Sequence, residues 1–179
     1  RRQRQMCIRD RVKTAHGDLN GVYYTYEIRH DDITEETIDI YARTAGVNGA
    51  MGMVIDLEET NPAGWHNYHP EPLEHYTDAV IYEMHVRDFS IDKSGNFCYK
   101  GRFLAFVEKG VINAAGDKIG IDHLKELGVT HVHLMPSFDY QTVDETRLNV
   151  PQFNWGYDPQ NFNCPEGSYS TNPYDGRAR

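Results

Sequence analysis

The sequence is poor in cysteine, in long apolar runs and in basic residues, and each shortage excludes a class of protein. Its 179 residues include three cysteines, a small odd number that does not suit a disulfide-stabilised scaffold. No segment approaches the roughly 18 consecutive apolar residues that indicate a transmembrane helix. We therefore expect neither a disulfide framework nor a membrane partner.

The shortage of basic residues also bears on partners. Lysine and arginine number 18 against 27 acidic residues, so the formal net charge is −9. Such a surface repels phosphates, and no nucleic-acid partner is predicted. The one basic cluster is the string RRQRQMCIRDR at residues 1–11. It resembles the translation of sequencing-adapter remnants, and we interpret residues 1–11 as non-native sequence without a function.

Residues 12–60 have the pattern of short strands separated by turns. Tyrosine and β-branched residues fill Val22 to Ile28, and Ile38 to Ala42 is predicted as another strand. This segment indicates the C-terminal part of an all-β module. Residues 61–78 are rich in proline and lack periodicity, which indicates a linker. Histidines and aromatics in that linker fit no standard zinc spacing, so no metal is predicted there.

A strand–helix–strand unit follows from residue 79. Ala79 to Val86 is apolar enough to be a buried strand, Gly120 to Leu127 has helical spacing of apolar residues, and Val129 to Met135 is a second strand. Parallel strands joined by a helix place their carboxyl ends at one edge, where α/β folds bind ligands. The long segments after each strand leave from that edge.

Several polar side chains lie on these predicted strands. Glu83, His85, Arg87 and Asp88 are neighbours along one strand, so we expect a hydrogen-bonded network rather than an acid–base pair flanking a substrate bond. His131 and His133 share a strand face. They could chelate a metal, but histidines bonded to neighbouring residues are the favoured interpretation. No metal site and no cofactor are predicted.

The string FNWGYDP at residues 153–159 combines aromatic rings, a carboxylate and a carboxamide with residues that bend the backbone. Gly156 permits a tight turn or a close approach to a ligand, and Pro159 favours an extended Asp158. An aromatic ring beside a carboxylate suits a sugar, which has apolar faces and a rim of hydroxyls. The alternative is a surface turn whose aromatics cover the core.

The longer string FNWGYDPQNFNCPEGSYSTNPYDG resembles the signature of type I pullulanases of glycoside hydrolase family 13, with Phe153 and Cys164 in place of the usual Tyr and Val. AVIYEMHVRDFS (residues 79–90) and GIDHLKELGVTHVHLMPSFDYQTVDE (residues 120–145) are similar to the first strand, first helix and second strand of the pullulanase barrel. HGDLNGVYYTYEI and DIYARTAGVNGAMGMVIDL are similar to the last strands of the preceding sandwich, which is related to family-48 carbohydrate-binding modules.

The resemblance implies an α/β fold: the truncated start of a (β/α)8 TIM barrel at residues 79–179, after the end of a β-sandwich at residues 12–60. It implies a fragment of an enzyme that hydrolyses α-1,6-glucosidic linkages by a retaining mechanism. The partner would be a branched α-glucan such as pullulan, starch, glycogen or a limit dextrin. Calcium in the complete protein and the compartment, cytoplasmic or secreted, stay open.

The resemblance also assigns roles to residues of the string. It implies that Tyr157 stacks on a glucosyl ring at the cleavage subsite, that Asp158 holds the loop, and that Trp155 and Asn154 support it. The family's catalytic Asp, Glu and Asp follow later barrel strands, so no catalytic residue is expected in this chain. None of its own carboxylates is assigned that role, including Glu83, Asp88, Asp139 and Asp158.

Two other functions stay open. An isoamylase-type debranching enzyme or a glycogen-branching enzyme has related Gly-Tyr-Asp loops, although the full FNWGYDP and PEGSYS strings favour pullulanase. A non-catalytic α-glucan-binding protein would use the same aromatic loop without cleaving the sugar. Catalytic carboxylates at later barrel-strand ends would separate the enzymes from the binding protein.

Overall fold

The computed structural model describes residues 15–179, which form a mixed α/β structure with short elements. Within these residues eight strands form four two-stranded sheets, and one segment is α-helical. The interpretation of residues 1–11 as non-native sequence lies outside the described residues. No helix in the described part of the chain is long and apolar enough to cross a membrane.

The first half of the structure is built from two antiparallel pairs. Strand β1 (Tyr23–Tyr24) pairs with β4 (Gly52–Met53). Strand β2 (Tyr26–His30) pairs with β3 (Ile33–Thr37), and Asp31 takes a positive φ of 53° in the tight turn between them. This arrangement matches the predicted β-rich character of the segment.

The predicted strand from Ile38 to Ala42 is wrong. The third strand ends at Thr37, and residues 38–42 contain a turn. Its cause is the side chain of Asp39, which accepts hydrogen bonds from the Tyr41 backbone N–H (2.9 Å) and the Tyr24 hydroxyl (2.8 Å). A short side chain that bonds the backbone two residues ahead replaces the ladder with a turn.

The predicted strand–helix–strand unit is confirmed. Strand β5 (Ile81–Met84) pairs in parallel with β6 (His131–Leu134), and helix α1 (Gly120–Glu126) lies between them in the chain. Leu124 is buried on the inner side of the helix, and Gly128 follows its end with a positive φ of 75°. Such a glycine is the usual way to end a helix.

The predicted burial of the first strand of this unit is only partly correct. Ile81 and Tyr82 remain 65% and 45% exposed, whereas Met84 and the following Val86 are buried. Among the described residues β5 and β6 pair only with each other, and all four residues of β6 are exposed. Burial in this unit therefore begins at the carboxyl end of β5, at Met84.

Strands β7 (Phe138–Tyr140) and β8 (Pro159–Pro165) form a further antiparallel pair that the sequence analysis did not predict. The register between them shifts twice, which indicates local irregularity. The segment between the two strands contains residues 153–158, and Pro159 begins β8. The C-terminal end of the predicted aromatic string therefore runs directly into a sheet.

Three buried clusters form the core. The first surrounds Val86, Tyr140, Val143 and Tyr169; the others contain Ala42, Ala45 and Cys164, and Phe97, Ala105 and Val111. Residues 61–78 are largely exposed and include the short 3-10 turns Trp65–Asn67 and Tyr76–Asp78.

Candidate functional site

The segment Phe153–Asp158, which we call the aromatic loop, passes the carboxyl ends of both parallel strands. The carbonyl oxygen of Asn154 lies 2.8 Å from Nε2 of His85, which follows β5. Gly156 packs against the carbonyl of Pro136, which follows β6. The loop therefore lies at the edge where α/β folds place ligands.

Gly156 is required at its position for two reasons. Its φ of +92° lies in the left-handed region, which side chains rarely adopt. In addition, a Cβ atom at this position would overlap with the carbonyl oxygen of Pro136. The predicted tight turn at this glycine is confirmed by its positive φ. The predicted approach to a ligand stays a prediction, because the group that the glycine packs against here is the carbonyl of Pro136.

Hydrogen bonds fix the shape of the loop. The amide of Asn154 donates to Asp158 (2.7 Å) and to Thr142 (2.7 Å), and its oxygen accepts from the Gly156 N–H (2.7 Å). The Thr142 hydroxyl donates to the other oxygen of Asp158 (2.6 Å). These bonds, first that from Thr142 and then that from Asn154, hold the pKa of Asp158 below its usual value of 3.8.

The rings of the loop face solvent. Tyr157 is 70% exposed and Trp155 is 58% exposed. Trp155 stands perpendicular to Phe153 at 5.0 Å between ring centroids, and Phe153 packs against His85 at 5.2 Å. The guanidinium of Arg87 lies 5.7 Å from the centre of the Phe153 ring. Tyr157 is thus exposed in a loop whose other two rings pack on each other, and Phe153 is held by its contacts with His85 and Arg87.

A cavity of about 370 Å³ adjoins the loop. Of the four predicted site residues only Asn154 lines it, together with residues that include Arg87, Arg102, Gln152 and Tyr169. Its volume lies at the lower end of the range for small-ligand pockets. The outer aromatic rings and the cavity are therefore separate surfaces on either side of Asn154.

The predicted network after β5 forms in part. Arg87 and Asp88 make an ion pair of 2.7 Å, and the Asp88 N–H donates to Nδ1 of His85 (3.4 Å). Glu83 is not part of it. Its carboxylate instead lies 3.9 Å from His133 on β6, because the parallel register places the two residues side by side.

The two strand histidines contact neighbouring residues, as predicted. His133 lies beside Glu83, and Nδ1 of His131 lies 2.8 Å from the hydroxyl of Thr130. Within residues 15–179 the one group of three side chains with metal-ligand geometry contains neither histidine.

That group is a buried acidic cluster, made of Asp139, Glu145 and Glu166, whose ligand atoms lie within 4.8 Å of one another. Arg179 occupies the position that a cation would take: its guanidinium bonds Asp139 (2.5 Å) and Glu145 (2.6 Å). Burial raises the pKa of Asp139 and Glu145, and Arg179 opposes that rise. Burial also raises the pKa of Glu166, to about 7.

The sequence analysis missed this cluster, apart from naming Asp139 as an available carboxylate. Its members are distributed over residues 139–179 and have no local motif. All three carboxylates are buried and bonded within the protein, so a substrate cannot reach them. We assign them a structural role.

No family model matches the chain. The pullulanase of Bacillus subtilis is 41% identical over 93% of this chain and 22% of its own length. A maize chloroplastic isoamylase is 28% identical over 87% of the chain and 21% of its own length. A crystal structure of the Paenibacillus barengoltzii pullulanase with maltohexaose and α-cyclodextrin superimposes with a TM-score of 0.87 and 49% identity, over 90% of this chain and 25% of that one. The chain therefore spans about a quarter or less of the length of these proteins.

Proposed function

Because the chain is homologous to one segment of the pullulanases, we propose that it is part of a glycoside hydrolase that cleaves α-1,6-glucosidic linkages. Its substrate is a branched α-glucan: pullulan, starch, glycogen or a limit dextrin. The observation that carries the proposal is the aromatic loop, where Tyr157 is exposed and its supporting residues are fixed by hydrogen bonds. Crystal structures of the Paenibacillus barengoltzii pullulanase and one of its mutants are complexes with maltooligosaccharides and a cyclodextrin.

We also propose the place of each element in the complete enzyme. Strand β5, helix α1 and strand β6 are the first strand, first helix and second strand of a (β/α)8 barrel that begins at residue 79. Residues 12–60 are the end of a β-sandwich related to carbohydrate-binding modules, and residues 61–78 link the two. The parallel register supports this assignment. The exposed Ile81 and Tyr82 support it too, since the interior of a barrel and its outer helices would cover the two faces of this strand.

Within that enzyme the aromatic loop is the floor of one glucosyl subsite. The ring of Tyr157 stacks on the apolar face of the sugar, an interaction that contributes about 1 kcal/mol beyond the buried area. Asp158 accepts the bonds that hold the loop, and these bonds lower the pKa of its carboxyl. Trp155 and Asn154 support the loop.

A retaining mechanism needs two carboxyl groups roughly 5 Å apart on either side of the scissile bond. Asp139, Glu145 and Glu166 are close together, but they are enclosed in the protein. Asp158 is engaged by Thr142 and Asn154. The nucleophile and the acid/base are therefore expected outside this chain, whose part is to bind and orient the sugar.

The test is hydrolysis of pullulan by the full-length enzyme that contains this segment. We expect Tyr157→Ala to reduce kcat/KM by at least about 100-fold, because a misplaced sugar loses alignment with the reacting groups. The midpoint of thermal unfolding should hardly change, because the ring is exposed. Tyr76→Ala is the matched control, since Tyr76 is 98% exposed outside the loop. Full activity of Tyr157→Ala would contradict the assignment of this site.

Two alternatives have different outcomes in the same assay. The similarity to a maize isoamylase favours a debranching enzyme of that type as the second candidate, and release of sugar from amylopectin but not from pullulan would support it. A non-catalytic glucan-binding protein would bind maltooligosaccharides through Tyr157 and release no reducing sugar from either polymer.

A further inference from the structure

His85 contacts the aromatic loop from the buried side of the loop. It is not one of the four predicted site residues. Its side chain is only 4% exposed. Its ring packs against those of Phe153, at 5.2 Å, and Tyr169, at 6.0 Å. We propose that His85 is a positioning residue that fixes the aromatic loop through a directed chain of hydrogen bonds. The proposal rests on the proposed function of the loop as a sugar-binding floor.

The hydrogen bonds of the ring determine where its proton lies. The carbonyl oxygen of Asn154, 2.8 Å from Nε2, can only accept, so Nε2 carries the hydrogen. On the other side the backbone N–H of Asp88 donates to Nδ1 at 3.4 Å, so Nδ1 is the acceptor. Nε2 is therefore the donor of this ring, and it points at the loop.

Two tyrosines extend this arrangement in one direction. The Tyr140 hydroxyl donates to the carbonyl of Pro136 (2.5 Å), so its oxygen is free to accept from the Tyr169 hydroxyl (3.2 Å). The Tyr169 oxygen in turn lies 3.1 Å from Nε2 of His85. The hydrogen on Nε2 is therefore shared between the Tyr169 oxygen and the Asn154 carbonyl oxygen. Every hydroxyl in the chain thus has one donor role and one acceptor role.

Both ends of this chain of hydrogen bonds contact the aromatic loop. At one end His85 holds the carbonyl of Asn154, the residue whose side chain bonds Asp158. At the other end the chain finishes on the Pro136 carbonyl, against which Gly156 packs too closely to admit a Cβ atom. The residues that flank Tyr157 are therefore held at the ends of β5 and β6, on one side by hydrogen bonds through Asn154 and on the other by the packing of Gly156 against Pro136.

Tyr140 and Tyr169 also line the cavity beside the loop. His85 and Tyr169 are buried, and neither side chain reaches the outer surface of the loop where the rings of Tyr157 and Trp155 are exposed. Burial and the bond to Tyr140 raise the pKa of Tyr169, so its hydroxyl keeps its proton throughout the physiological range. These hydrogen bonds thus hold the loop from its buried side, away from the exposed rings of Tyr157 and Trp155.

The experiment uses single variants of the full-length enzyme and two readouts. Tyr169→Phe removes one hydroxyl and keeps the ring, and His85→Phe removes both ring nitrogens. His85→Gln restores an N–H donor near the position of Nε2. The control is His69→Phe, because His69 is an exposed histidine of the segment 61–78.

The first readout is hydrogen exchange of the backbone amides of residues 153–158, which does not depend on catalysis. We expect faster exchange in His85→Phe and Tyr169→Phe, with slow exchange restored in His85→Gln. The second is pullulan kinetics, where kcat should fall about 100-fold in His85→Phe and about fivefold in Tyr169→Phe, the effect of one lost hydrogen bond. In both variants KM should change less than kcat.

The two readouts separate failure of this proposal from failure of the proposed function. Unchanged exchange at residues 153–158 in both His85→Phe and Tyr169→Phe would overturn the positioning role, whatever the kinetics. If the wild-type enzyme hydrolyses no α-glucan, the proposed function fails, and faster exchange in the variants would still support the positioning of the loop. If slow amide exchange at residues 153–158 were lost equally in His85→Gln and His85→Phe, that result would also contradict the positioning role of His85.

Discussion

The aromatic loop and the buried acidic cluster are both held by carboxylates, but the loop is exposed to solvent and the cluster is enclosed in the protein. Asp158 lies in the exposed loop, and hydrogen bonds lower its pKa. Asp139, Glu145 and Glu166 are buried, and loss of hydration raises theirs. An exposed carboxylate that accepts hydrogen bonds can fix a binding loop while its neighbours face a ligand. Buried carboxylates need a cation among them, and here that cation is Arg179.

The buried cluster also joins distant parts of the chain. Arg179 donates to the carbonyl of Gly46 (2.6 Å), and the Asn48 N–H donates to Glu145 (2.6 Å). Asn161, which bonds Asp139, donates to the carbonyl of Gly49 (3.1 Å). The cluster therefore connects the residues after β3 to the segment that carries β7 and β8, whereas the loop is free to contact a ligand.

The largest effect that separates the two regions should come from Arg179→Met. Removal of the guanidinium leaves Asp139 and Glu145 buried without their counter-charge, which costs about 3–5 kcal/mol of unfolding free energy. Chemical denaturation of the full-length enzyme measures it. Arg147→Met is the control, because Arg147 is exposed. Equal stability of the two variants would remove the distinction between cluster and loop.

Gly156→Ala should have the next largest effect, and it acts on the loop. The substitution combines an unfavourable φ with overlap on Pro136, which we expect to cost about 1–3 kcal/mol and to lower kcat/KM on pullulan. Gly64→Ala is a matched control, since Gly64 also has a positive φ of 85° but no atom within 4 Å of the added Cβ. Similar losses of activity in both variants would mean that the close approach to Pro136 does not matter.

The sequence could predict the elements whose signals are local. The strand–helix–strand unit was found because Leu124 and its neighbours repeat at helical spacing, and Gly156 was recognised because tight approaches need glycine. Strand β8 was missed because it begins and ends in proline, Pro159 and Pro165, which normally argues against a strand. The turn at Asp39 was missed because its side-chain hydrogen bond overrides the apolar pattern.

The same contrast holds for the two regions compared above. The aromatic loop is contiguous in sequence, so its composition indicated a ligand-binding role, which stays a prediction. The acidic cluster assembles from separate segments, and Glu145, Glu166 and Arg179 have no spacing that would reveal it. Likewise the position of His85 beneath the loop depends on tertiary packing. Only the surrounding residues distinguish it from an ordinary buried histidine.

A smaller effect concerns pH, and its sign should differ between the regions. The pKa of Glu166 is about 7 in the folded protein against 4.5 for an unperturbed glutamate, so the folded chain binds this proton more tightly. The free energy of unfolding should therefore fall as pH rises from 4.5 to 7. For Asp158 the folded pKa is the lower one, so its contribution is lost as pH falls below about 4.

Thermal unfolding of the full-length enzyme and of two variants across this pH range checks both signs. Glu166→Gln should flatten the decline between pH 4.5 and 7, and Asp158→Asn should reduce the loss of stability at acidic pH. The slope is the readout, because either variant also changes absolute stability. A decline that persists unchanged in Glu166→Gln would show that burial of this carboxyl does not set the pH dependence.

The smallest effect is a difference in thiol reactivity. Cys98 is exposed, whereas Cys164 is buried beside the carbonyl of Ala42, and burial raises its pKa to about 12. A thiol-specific reagent should therefore modify Cys98 in the native protein and spare Cys164 until unfolding. Peptide mass spectrometry measures the two sites separately. Early modification of Cys164 would mean that the core around β8 opens readily.

The most direct measurement of the central claim is a crystal structure of the full-length enzyme with bound maltotriose. The account predicts a glucosyl ring stacked on the exposed face of Tyr157, with Asp158 still bonded to Thr142 and Asn154. A saccharide bound elsewhere, with the ring of Tyr157 uncovered, would contradict it.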